Sequence, residues 1–421
     1  MSDVLHHAQL AVVLVGLPAR GKSYIAHKIC RYLRWQGVAA RLFNAGDYRR
    51  QLLGGHQAHD FFDPDNPEGT EIRRRCAMLA LDDLVAWFRD GGEVGLYDAT
   101  NSTMERRHLV WEALQRIGVP VLYVESICDD PAVIDANIVA TKLHAPDYAG
   151  MDPIEAARDF RKRIAHYERA YQTIDGDAVS YVKIIDVGRQ LVVNRIHGYL
   201  AGRIVSLLMN LHVEPRRILL TRHGESLYNL HGRIGGDSSL SPRGERYAVA
   251  LAAKVGELVG SDPVRVMTST LARTRRTARH LPGVAEAWRS LDEIEAGVCN
   301  GMTYEEIAAR WPDEFAARRA DKLRYRYRRG ESYQDLIARV EPAVIELERQ
   351  RADIVVVSHQ AVLRCVYAYF MGRDAEEVPH LALPLHTLIQ LSPQPYGCDE
   401  VRWELEPGAP NDGRVPGSNR A

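Results

Sequence analysis

The chain has 421 residues, of which 54 are Lys or Arg and 55 are Asp or Glu, for a formal net charge of −1. This balance excludes a global attraction to nucleic acid or to a membrane surface, so any basic site must be local. Apolar residues make up 46% and charged residues 26%, which is typical of a globular protein. The length predicts two or three domains.

The cysteine and hydropathy patterns predict a cytoplasmic protein. The six cysteines include no CxxC pair, which favours reduced and mostly buried thiols. The first residues, MSDVLHHAQL, lack the basic region of a signal peptide, and no apolar run approaches the ~18 residues that span a bilayer. No membrane association is expected.

The first half of the chain alternates between strand and helix patterns. An apolar run at 10–16 precedes a glycine-rich turn, and a helix is predicted from Lys22 to about Gln36. Further helices and strands are predicted alternately at 71–89, 93–99, 104–116 and 119–127. This alternation predicts an α/β domain built on a parallel sheet.

A second α/β series follows a proline-containing connector. Residues 194–217 have a helix-like pattern, and the domain boundary is predicted near residue 214. The second series is predicted as strand 217–223, helix 242–259, strand 265–269, helix 271–280, strand 353–359 and helix 361–371. The predicted domains are therefore 1–214 and 215–400, each with its own sheet. The polar, Gly/Pro-rich residues 401–421 predict a disordered tail.

The segment GLPARGKS at 16–23 fits the pattern G-x-x-x-x-G-K-[ST] at every fixed position. Gly16 and Gly21 let the backbone curl so that its N–H groups point at phosphate oxygens. Lys22 would neutralise the β- and γ-phosphates, and the Ser23 hydroxyl is a ligand for Mg²⁺. Because a buried strand precedes this loop and a helix follows it, a nucleoside triphosphate site is favoured over a plain turn.

Asp98 lies at the end of the predicted strand 93–99, where carboxylates of parallel sheets face the ligand crevice. Two catalytic roles are open: it ligates Mg²⁺, or it takes the proton of the acceptor hydroxyl. Taken alone, Asp98 fits equally well as the N-cap of the next helix.

Clusters of cations in the first half predict an anionic acceptor. They comprise Arg49, Arg50, residues 73–75, Arg106, Arg107, Lys142 and residues 161–167. Any single arginine is more often part of a solvated helix face. Their number beside a phosphate loop favours a phosphorylated acceptor, because the guanidinium group matches phosphate geometry.

The segment LLTRHGES predicts a phosphate acceptor in the second half. His223 lies just past a strand end, and a neutral imidazole nitrogen attacks phosphorus to give a phosphohistidine. Arg222, Arg273 and a second strand-end histidine, His359, would stabilise the developing charge. Glu293 is the predicted proton donor to the leaving alcohol. This chemistry requires no metal.

The segment KLRYRYRRGESY at 322–333 alternates basic and aromatic residues. Stacking on single-stranded nucleic acid is one interpretation. The other is a strand or turn whose cations face one way and bind a second phosphate on a small substrate. The second is favoured because the rest of the chain is not basic.

Long strings in the chain resemble the bifunctional 6-phosphofructo-2-kinase/fructose-2,6-bisphosphatase family. The similarity runs from about residue 10 to about residue 398 and rests on GLPARGKS, FNAGDYRR, DATNST, RHGESLYNLHGRIGGD, EIEAGVCNGMTYEEI and SHQAVLRC. It implies two α/β domains: an N-terminal P-loop NTPase-type parallel sheet and a C-terminal histidine phosphatase, phosphoglycerate mutase-like α/β sandwich. It also implies ATP- and Mg²⁺-dependent phosphorylation of fructose 6-phosphate at its 2-hydroxyl, and cofactor-free hydrolysis of fructose 2,6-bisphosphate.

The resemblance further implies the roles of individual residues. The implied ATP site comprises Gly16, Ala19, Arg20, Gly21, Lys22, Ser23, Tyr24, Asn137 and Lys142, with Ser23 and Asp98 as Mg²⁺ ligands. The implied fructose 6-phosphate site comprises Arg49, Arg73, Thr100, Arg106, Lys142, Arg163 and Tyr167. The implied bisphosphate site comprises Asn229, Gly235, Tyr304, Arg318, Lys322, Tyr333, Gln360 and Arg364. Implied catalytic residues are His223, Glu293, His359, Arg222 and Arg273 in the phosphatase half, and Lys22, Asp98 and Cys128 in the kinase half. Burial alone predicts Cys128 as a core thiol.

The chain departs from the family at Met104, where arginine is usual, and at Asp47. It also lacks the long terminal extensions of animal members, so their regulation is not implied and a homodimer is left open. One alternative is a phosphatase-dominant enzyme whose kinase domain is weak or only senses nucleotide. Another is a polynucleotide kinase-phosphatase, which the near-zero net charge disfavours.

Overall fold

The computed structural model describes residues 9–55, 57–139, 147–148, 150–262, 264–394 and 397–405, and the backbone of 414–415. Contacts between α-carbons divide the chain into two compact units. The first extends to Leu211, and the second begins at His212 and includes the short segment Arg34–Gly37. No helix in the described ranges is both long enough and apolar enough to cross a membrane.

The first unit is a six-stranded sheet with helices between its strands. Its strands are β1 (Leu10–Val15), β2 (Ala40–Asn44), β3 (Val94–Asp98), β4 (Val121–Ile127), β5 (Tyr181–Ile185) and β6 (Gln190–Asn194). Its helices are α1 (Lys22–Trp35), α2 (Ala45–Leu53), α3 (Pro67–Arg89), α4 (Met104–Gln115), α5 (Pro131–Asn137), α6 (Pro153–Glu168) and α7 (Tyr199–Leu208), with a 3₁₀ turn at His59–Phe62.

The sheet order of the first unit is β2-β3-β1-β4-β5-β6. All neighbouring strands are parallel except β5 and β6, which pair antiparallel. Every residue of β1 is buried, as expected for a central strand covered on both faces. Asn44 of β2 is in register with Asp98 of β3, which places two polar side chains together at the carboxyl edge of the sheet.

The second unit is built on a seven-stranded sheet. Its strands are β7 (Ile218–Arg222), β8 (Arg265–Thr268), β9 (Ala285–Ala287), β10 (Ile354–Ser358), β11 (Thr387–Gln394), β12 (Gly397–Glu404) and β13 (Arg414–Val415). Its helices are α8 (Leu227–Leu230), α9 (Pro242–Val259), α10 (Ala272–Ala278), α11 (Tyr304–Arg310), α12 (Pro312–Ala320), α13 (Tyr333–Arg349) and α14 (Gln360–Met371). Three 3₁₀ turns occur at Arg289–Leu291, Gly297–Cys299 and Ala375–His380.

The sheet order of the second unit is β13-β12-β11-β7-β10-β8-β9. Neighbouring strands among β7, β10, β8 and β9 pair in parallel. In contrast, β11 pairs antiparallel with β7, β12 with β11, and β13 with β12. Arg222 at the end of β7 is in register with Ser358 at the end of β10. The residues that follow, His223 and His359, therefore leave the sheet side by side.

Local signals in the sequence account for the helix ends of the second unit. The predicted helix 242–259 matches α9 residue for residue. Pro242 occupies its first turn and Ser241 caps it by accepting a hydrogen bond from the Gly244 amide. Gly260 ends it with a φ of 61°, a conformation that glycine adopts without steric cost.

Two predictions of the sequence analysis are wrong in part. The helix predicted at 194–217 is confined to Tyr199–Leu208, and Asn194 is the last residue of β6. The disordered tail was predicted from residue 401, but β12 continues to Glu404, and the side chains of Trp403 and Leu405 are buried in the core. The predicted start of the tail is too early because β12, which ends at Glu404, precedes the Gly/Pro-rich segment. Residues 406–413 and 416–421 lie outside the described residues.

A buried ion pair in the second unit gives a test of its stability. Arg216 donates to Glu348 Oε2 at 2.9 Å, and both side chains are at most 3% exposed. Removing one partner leaves a buried charge without its counter-ion, so Arg216→Met should lower the free energy of unfolding by about 3–5 kcal/mol. Urea unfolding followed by circular dichroism measures this change.

Arg351 provides the matched control, because its pair with Glu214 at 2.6 Å is exposed on both sides. Arg351→Met should change the free energy of unfolding by less than about 1 kcal/mol. Equal effects of the two substitutions would contradict the assignment of Arg216 and Glu348 as a stabilising buried pair.

Candidate active sites

The predicted phosphate loop connects β1 to α1. Gly16 has a φ of 136°, and a Cβ there would lie 2.4 Å from the Ser126 carbonyl oxygen, so only glycine fits. Gly21 has a φ of 80° and Ala19 one of 59°. These left-handed conformations curl the backbone between a strand end and a helix N-terminus, which is the arrangement that presents N–H groups to phosphate oxygens.

Asp98 is the polar centre of this edge of the sheet. Its Oδ2 accepts hydrogen bonds from the Ser23 hydroxyl at 2.7 Å and from Asn44 Nδ2 at 2.7 Å. The N-cap alternative is wrong, because Thr103 caps the next helix. A hydroxyl and a carboxylate at hydrogen-bond distance are the hard oxygen ligands that Mg²⁺ prefers, so Ser23 and Asp98 fit this ion.

Other residues predicted for the nucleotide surround the loop. Lys22 Nζ donates to the Leu17 carbonyl oxygen at 2.6 Å, so its charge lies within the loop. Asn137 Nδ2 donates to the Ala19 carbonyl oxygen at 3.1 Å. Arg20 is buried, and Tyr24 lies in the first turn of α1. Lys142 lies outside the described residues.

The arginines predicted for the acceptor gather around Phe62 and Asp147. Arg49 donates to Asp147 at 2.5 Å, and Arg163 contacts the same carboxylate at 3.5 Å. The Arg163 guanidinium lies 3.6 Å from the centre of the Phe62 ring, a cation–π contact. The sequence analysis did not identify Asp147, because its partners Arg49 and Arg163 are distant from it in sequence and no local pattern marks it as their shared counter-ion.

Of the remaining acceptor residues, Arg73 and Tyr167 lie beside this cluster, and Thr100 contacts the phosphate loop. Arg73 donates to the Phe61 carbonyl oxygen. Burial lowers the pKa of Arg73, and the charges of Arg163 and Arg106 lower it further. The Tyr167 ring lies 6.1 Å from that of Phe62. The Thr100 carbonyl oxygen accepts a hydrogen bond from the Gly16 amide at 3.0 Å and so joins the acceptor side to the phosphate loop.

Cys128 directly follows β4 at the carboxyl edge of the same sheet. Its side chain is buried, and burial raises the pKa of the thiol. At neutral pH the group is therefore a protonated thiol, not a thiolate nucleophile.

The second unit contains a cavity of about 240 Å³ at the ends of β7 and β10. Its walls include twelve residues predicted for this half of the chain: Arg222, His223, Asn229, Gly235, Arg273, Glu293, Tyr304, Arg318, Lys322, Tyr333, Gln360 and Arg364. The cavity thus combines many cations with the Glu293 carboxylate, as expected for a site that binds a polyanion.

The His223 side chain is fixed in one tautomer. Its Nδ1 lies 2.7 Å from the Gly224 carbonyl oxygen, which only accepts hydrogen bonds, so Nδ1 carries the proton. Burial, and then the charge of Arg273, lower the pKa of His223 well below its usual value. The ring is therefore neutral at pH 7, and the lone pair on Nε2 is free to attack.

His359 lies behind His223, with the ring centres 5.1 Å apart. Its Nδ1 is 3.2 Å from an Arg273 nitrogen, which only donates, and its Nε2 is 2.8 Å from the Ser269 hydroxyl. His359 therefore accepts from Arg273 and donates to Ser269. Burial lowers the pKa of His359 well below its usual value.

Three residues that hold this pair were not predicted from the sequence. The Thr277 hydroxyl accepts from the Gly224 amide at 2.9 Å, and His386 Nε2 accepts from the Glu225 amide at 3.2 Å. Ser269 follows β8 directly, as His359 follows β10, so a polar residue at a strand end was a usable signal. Thr277 and His386 carry no local pattern that marks them.

Backbone carbonyl groups hold four of the cavity cations. Arg222 donates to Leu383, Arg273 to Gly236, Lys322 to Pro379 and Arg364 to Leu381, at distances from 2.6 to 3.1 Å. Burial lowers the pKa of Arg222 to about 10. Burial and the charges of Arg364 and Arg318 lower the pKa of Lys322 to about 8.

The segment 322–333 contributes differently from the prediction. It is a loop up to the start of α13, and Lys322, Tyr325 and Tyr327 line the cavity. Three of its four arginines pair with carboxylates outside the cavity: Arg324 with Glu376, Arg326 with Asp335 and Arg328 with Glu314. The fourth, Arg329, is exposed and does not line the cavity. The predicted row of phosphate-binding cations is therefore wrong, except for Lys322.

Comparisons with known proteins match both units. Residues 1–215 match the family model of 6-phosphofructo-2-kinase, and residues 218–406 match that of the histidine phosphatase superfamily, branch 1. The 6-phosphofructo-2-kinase/fructose-2,6-bisphosphatase 4 of Rattus norvegicus is 50% identical over 391 residues, which cover 92% of this chain and 83% of that protein.

Two further relatives have similar identities. The 6-phosphofructo-2-kinase/fructose-2,6-bisphosphatase 3 of Homo sapiens is 48% identical over 399 residues, covering 94% of this chain and 76% of the relative. The 6-phosphofructo-2-kinase/fructose-2,6-bisphosphatase of Arabidopsis thaliana is 50% identical over 403 residues, covering 94% of this chain and 54% of the relative.

The cavity geometry predicts anion binding that depends on Arg273. Inorganic phosphate should bind beside His223, and Arg273→Met should weaken this binding about tenfold or more, because a charge-assisted hydrogen bond contributes ~1.5–3 kcal/mol. Isothermal titration calorimetry measures the affinity. Arg279→Met is the control, because Arg279 pairs with Glu245 and does not line the cavity. Equal affinity in both variants would contradict the prediction.

Proposed function

The chain belongs to the bifunctional 6-phosphofructo-2-kinase/fructose-2,6-bisphosphatase family and carries both of its enzymatic domains, and on that premise we propose which residues perform each reaction. The kinase domain is 1–214, and it phosphorylates fructose 6-phosphate at the 2-hydroxyl with ATP. The phosphatase domain is 215–400, and it hydrolyses fructose 2,6-bisphosphate to fructose 6-phosphate and phosphate.

The neutral His223 ring in a cavity of cations carries the proposal for the phosphatase. Nε2 attacks the 2-phosphate, the N–P bond forms, and the bond between phosphorus and the C2 oxygen breaks. Glu293 donates a proton to that oxygen, so that fructose 6-phosphate leaves as an alcohol. Water then attacks the phosphohistidine, Glu293 takes its proton, and inorganic phosphate is released.

Charge stabilisation in this reaction is assigned to the cations nearest the nucleophile. Arg222 and Arg273 are both buried close enough to His223 to lower its pKa, and His359 accepts from Arg273. Fixed cations of this kind stabilise the charge that develops on the transferring phosphoryl group. Arg318, Lys322 and Arg364 then serve the rest of the substrate, including its 6-phosphate.

The kinase reaction is assigned to the loop at 16–23 and to Asp98. Lys22 neutralises charge on the phosphates of ATP, and Ser23 and Asp98 hold Mg²⁺, which supplies further charge neutralisation when it is bound. Arg49, Arg73, Arg106 and Arg163 bind the 6-phosphate and orient the 2-hydroxyl. One buried guanidinium nitrogen each of Arg49 and Arg163 has no hydrogen-bond partner among the described residues, which supports this role. Cys128 lies at the same edge of the sheet as a buried, protonated thiol.

The two activities should be separable by substitution. His223→Ala removes the nucleophile and should lower hydrolysis of fructose 2,6-bisphosphate at least ~10³-fold, while synthesis from ATP and fructose 6-phosphate continues. Lys22→Ala should lower synthesis at least ~10²-fold and leave hydrolysis intact. Release of labelled phosphate and formation of acid-labile product measure the two directions.

The exposed His231 supplies the control for this pair of variants, since it follows α8 without lining the cavity. His231→Ala should retain both activities. Hydrolysis that survives His223→Ala would exclude the phosphohistidine mechanism.

Lys322 should make substrate binding by the phosphatase depend on pH. Its lowered pKa of about 8 means that the ammonium charge is present below that pH and is lost as the pH rises through it. The KM for fructose 2,6-bisphosphate should therefore rise by up to about tenfold between pH 7 and pH 9. Steady-state kinetics across this range measure the change.

Lys322→Arg is the matched variant, because arginine remains charged throughout this pH range. Its KM should vary much less between pH 7 and pH 9. A KM that rises as steeply in Lys322→Arg as in the unsubstituted chain would show that another group causes the pH dependence.

A further inference from the structure

Two histidines and an aspartate form a cluster in the first unit, outside the phosphate loop and the arginine contacts described above. His59 and Asp60 lie in the 3₁₀ turn His59–Phe62, and His166 lies on α6. One nitrogen of each ring and one carboxylate oxygen lie within 4.8 Å of one another. His59 Nδ1 is 3.3 Å from His166 Nε2 and 2.8 Å from Asp60 Oδ1.

A second carboxylate orients His166 toward this cluster. Asp63 Oδ2 lies 3.4 Å from His166 Nδ1, and Arg169 contacts Asp63 at 3.1 Å. A carboxylate at Nδ1 keeps the proton on that nitrogen and leaves the Nε2 lone pair directed at His59. Metal-binding histidines in proteins commonly have their other ring nitrogen paired with a carboxylate in this way.

From this geometry we propose that His59, Asp60 and His166 bind a divalent transition metal of the Zn²⁺ class. Two nitrogens that each lie ~2.0–2.1 Å from a tetrahedral Zn²⁺ are about 3.3–3.4 Å apart, which matches the separation of the two ring nitrogens. The rings are 19° from parallel, so one ring turns about its terminal torsion to direct its lone pair at the metal. The proton that His59 Nδ1 donates to Asp60 in the metal-free chain passes through solvent to His59 Nε2 when the metal binds. Water completes the coordination.

The chemistry of the ligands separates this site from the Mg²⁺ site at Ser23 and Asp98. Imidazole nitrogen suits Zn²⁺, Cu²⁺ and Ni²⁺, whereas Mg²⁺ prefers oxygen ligands. Lys162 Nζ lies 3.5 Å from His59 Nε2 and is exposed, so it can move into solvent when a cation binds. Millimolar Mg²⁺ should therefore not displace the metal.

The metal would join two elements that hold the acceptor arginines. The 3₁₀ turn contains Phe62, against which Arg163 packs, and the Phe61 carbonyl group that accepts from Arg73. His166 lies three residues after Arg163 on α6, so their side chains share one face of the helix. Metal binding would therefore restrict the arginine cluster, and this consequence rests on the proposed binding of fructose 6-phosphate there.

Zn²⁺ binding to the full chain tests the proposal, with competition against a chromophoric chelator in the presence of Mg²⁺. The unsubstituted chain should bind one Zn²⁺ that His59→Gln and His166→Gln each weaken at least ~100-fold. Asp63→Asn should weaken it about tenfold, because carboxylates behind metal ligands contribute about that much. His108→Gln, which changes an exposed histidine paired with Glu112, should bind as tightly as the unsubstituted chain.

Kinetics provide the second readout. Zn²⁺ should lower the KM for fructose 6-phosphate at least about twofold in the unsubstituted chain and in His108→Gln, but not in His166→Gln. Retained synthesis from ATP and saturating fructose 6-phosphate in the absence of Zn²⁺ confirms that the first unit of each variant is folded. Zn²⁺ affinity that is unchanged in both His59→Gln and His166→Gln overturns the site. Binding without any effect on KM keeps the site and overturns only its coupling to the acceptor.

Discussion

The phosphatase cavity depends on cations that backbone carbonyl groups hold in place, although Arg273 also lies 3.5 Å from the Asp237 carboxylate. Arg222, Arg273, Lys322 and Arg364 each donate to a backbone carbonyl oxygen. A carbonyl group satisfies a donor and offsets part of the cost of burying it, but it cancels no net charge. The positive potential therefore remains available to an anionic substrate. The same potential, together with burial, keeps His223 neutral at physiological pH, so one arrangement both attracts the phosphate and maintains the nucleophile.

The acceptor side of the kinase domain solves the same problem with a carboxylate. Asp147 pairs with Arg49 and also contacts Arg163, and these arginines hold the pKa of Asp147 below its usual value despite the opposing effect of burial. An anionic substrate at this site must share or replace Asp147 as the counter-ion. Anion binding there exchanges one ion pair for another, whereas Arg222, Lys322 and Arg364 in the phosphatase cavity would gain new ion pairs. The two sites should accordingly differ in how strongly affinity depends on salt.

The sequence correctly predicted the features that depend on the position of a strand end or on a fixed motif spacing. Buried apolar runs located the central strands, and residues immediately after them, such as His223 and His359, were placed correctly at one edge of a parallel sheet. Other strands were not predicted. The edge strands β2 and β6 are only partly buried and lack a continuous apolar run. The inner strands β5 and β11 were also missed, although β11 begins with three buried residues. Contacts made by backbone carbonyl groups, such as the hydrogen bond from Lys322 to the Pro379 carbonyl oxygen, do not depend on the identity of the carbonyl residue, so no sequence pattern predicts them. These contacts also fix the positions of the cavity cations.

Met104 was the main reason to suspect a weak kinase, and its placement weakens that argument. It is the first residue of α4, its side chain is 65% exposed, and its amide donates to Gln172 Oε1 at 2.7 Å. Arg106, two residues further on, is close enough to Arg73 to lower its pKa, so the helix still supplies a cation to the acceptor cluster. An exposed cation at position 104 would be largely screened by solvent. Under the proposed assignment of Arg49 and Arg163 to fructose 6-phosphate, the balance between the two activities depends less on Met104 than on how readily Asp147 releases these arginines.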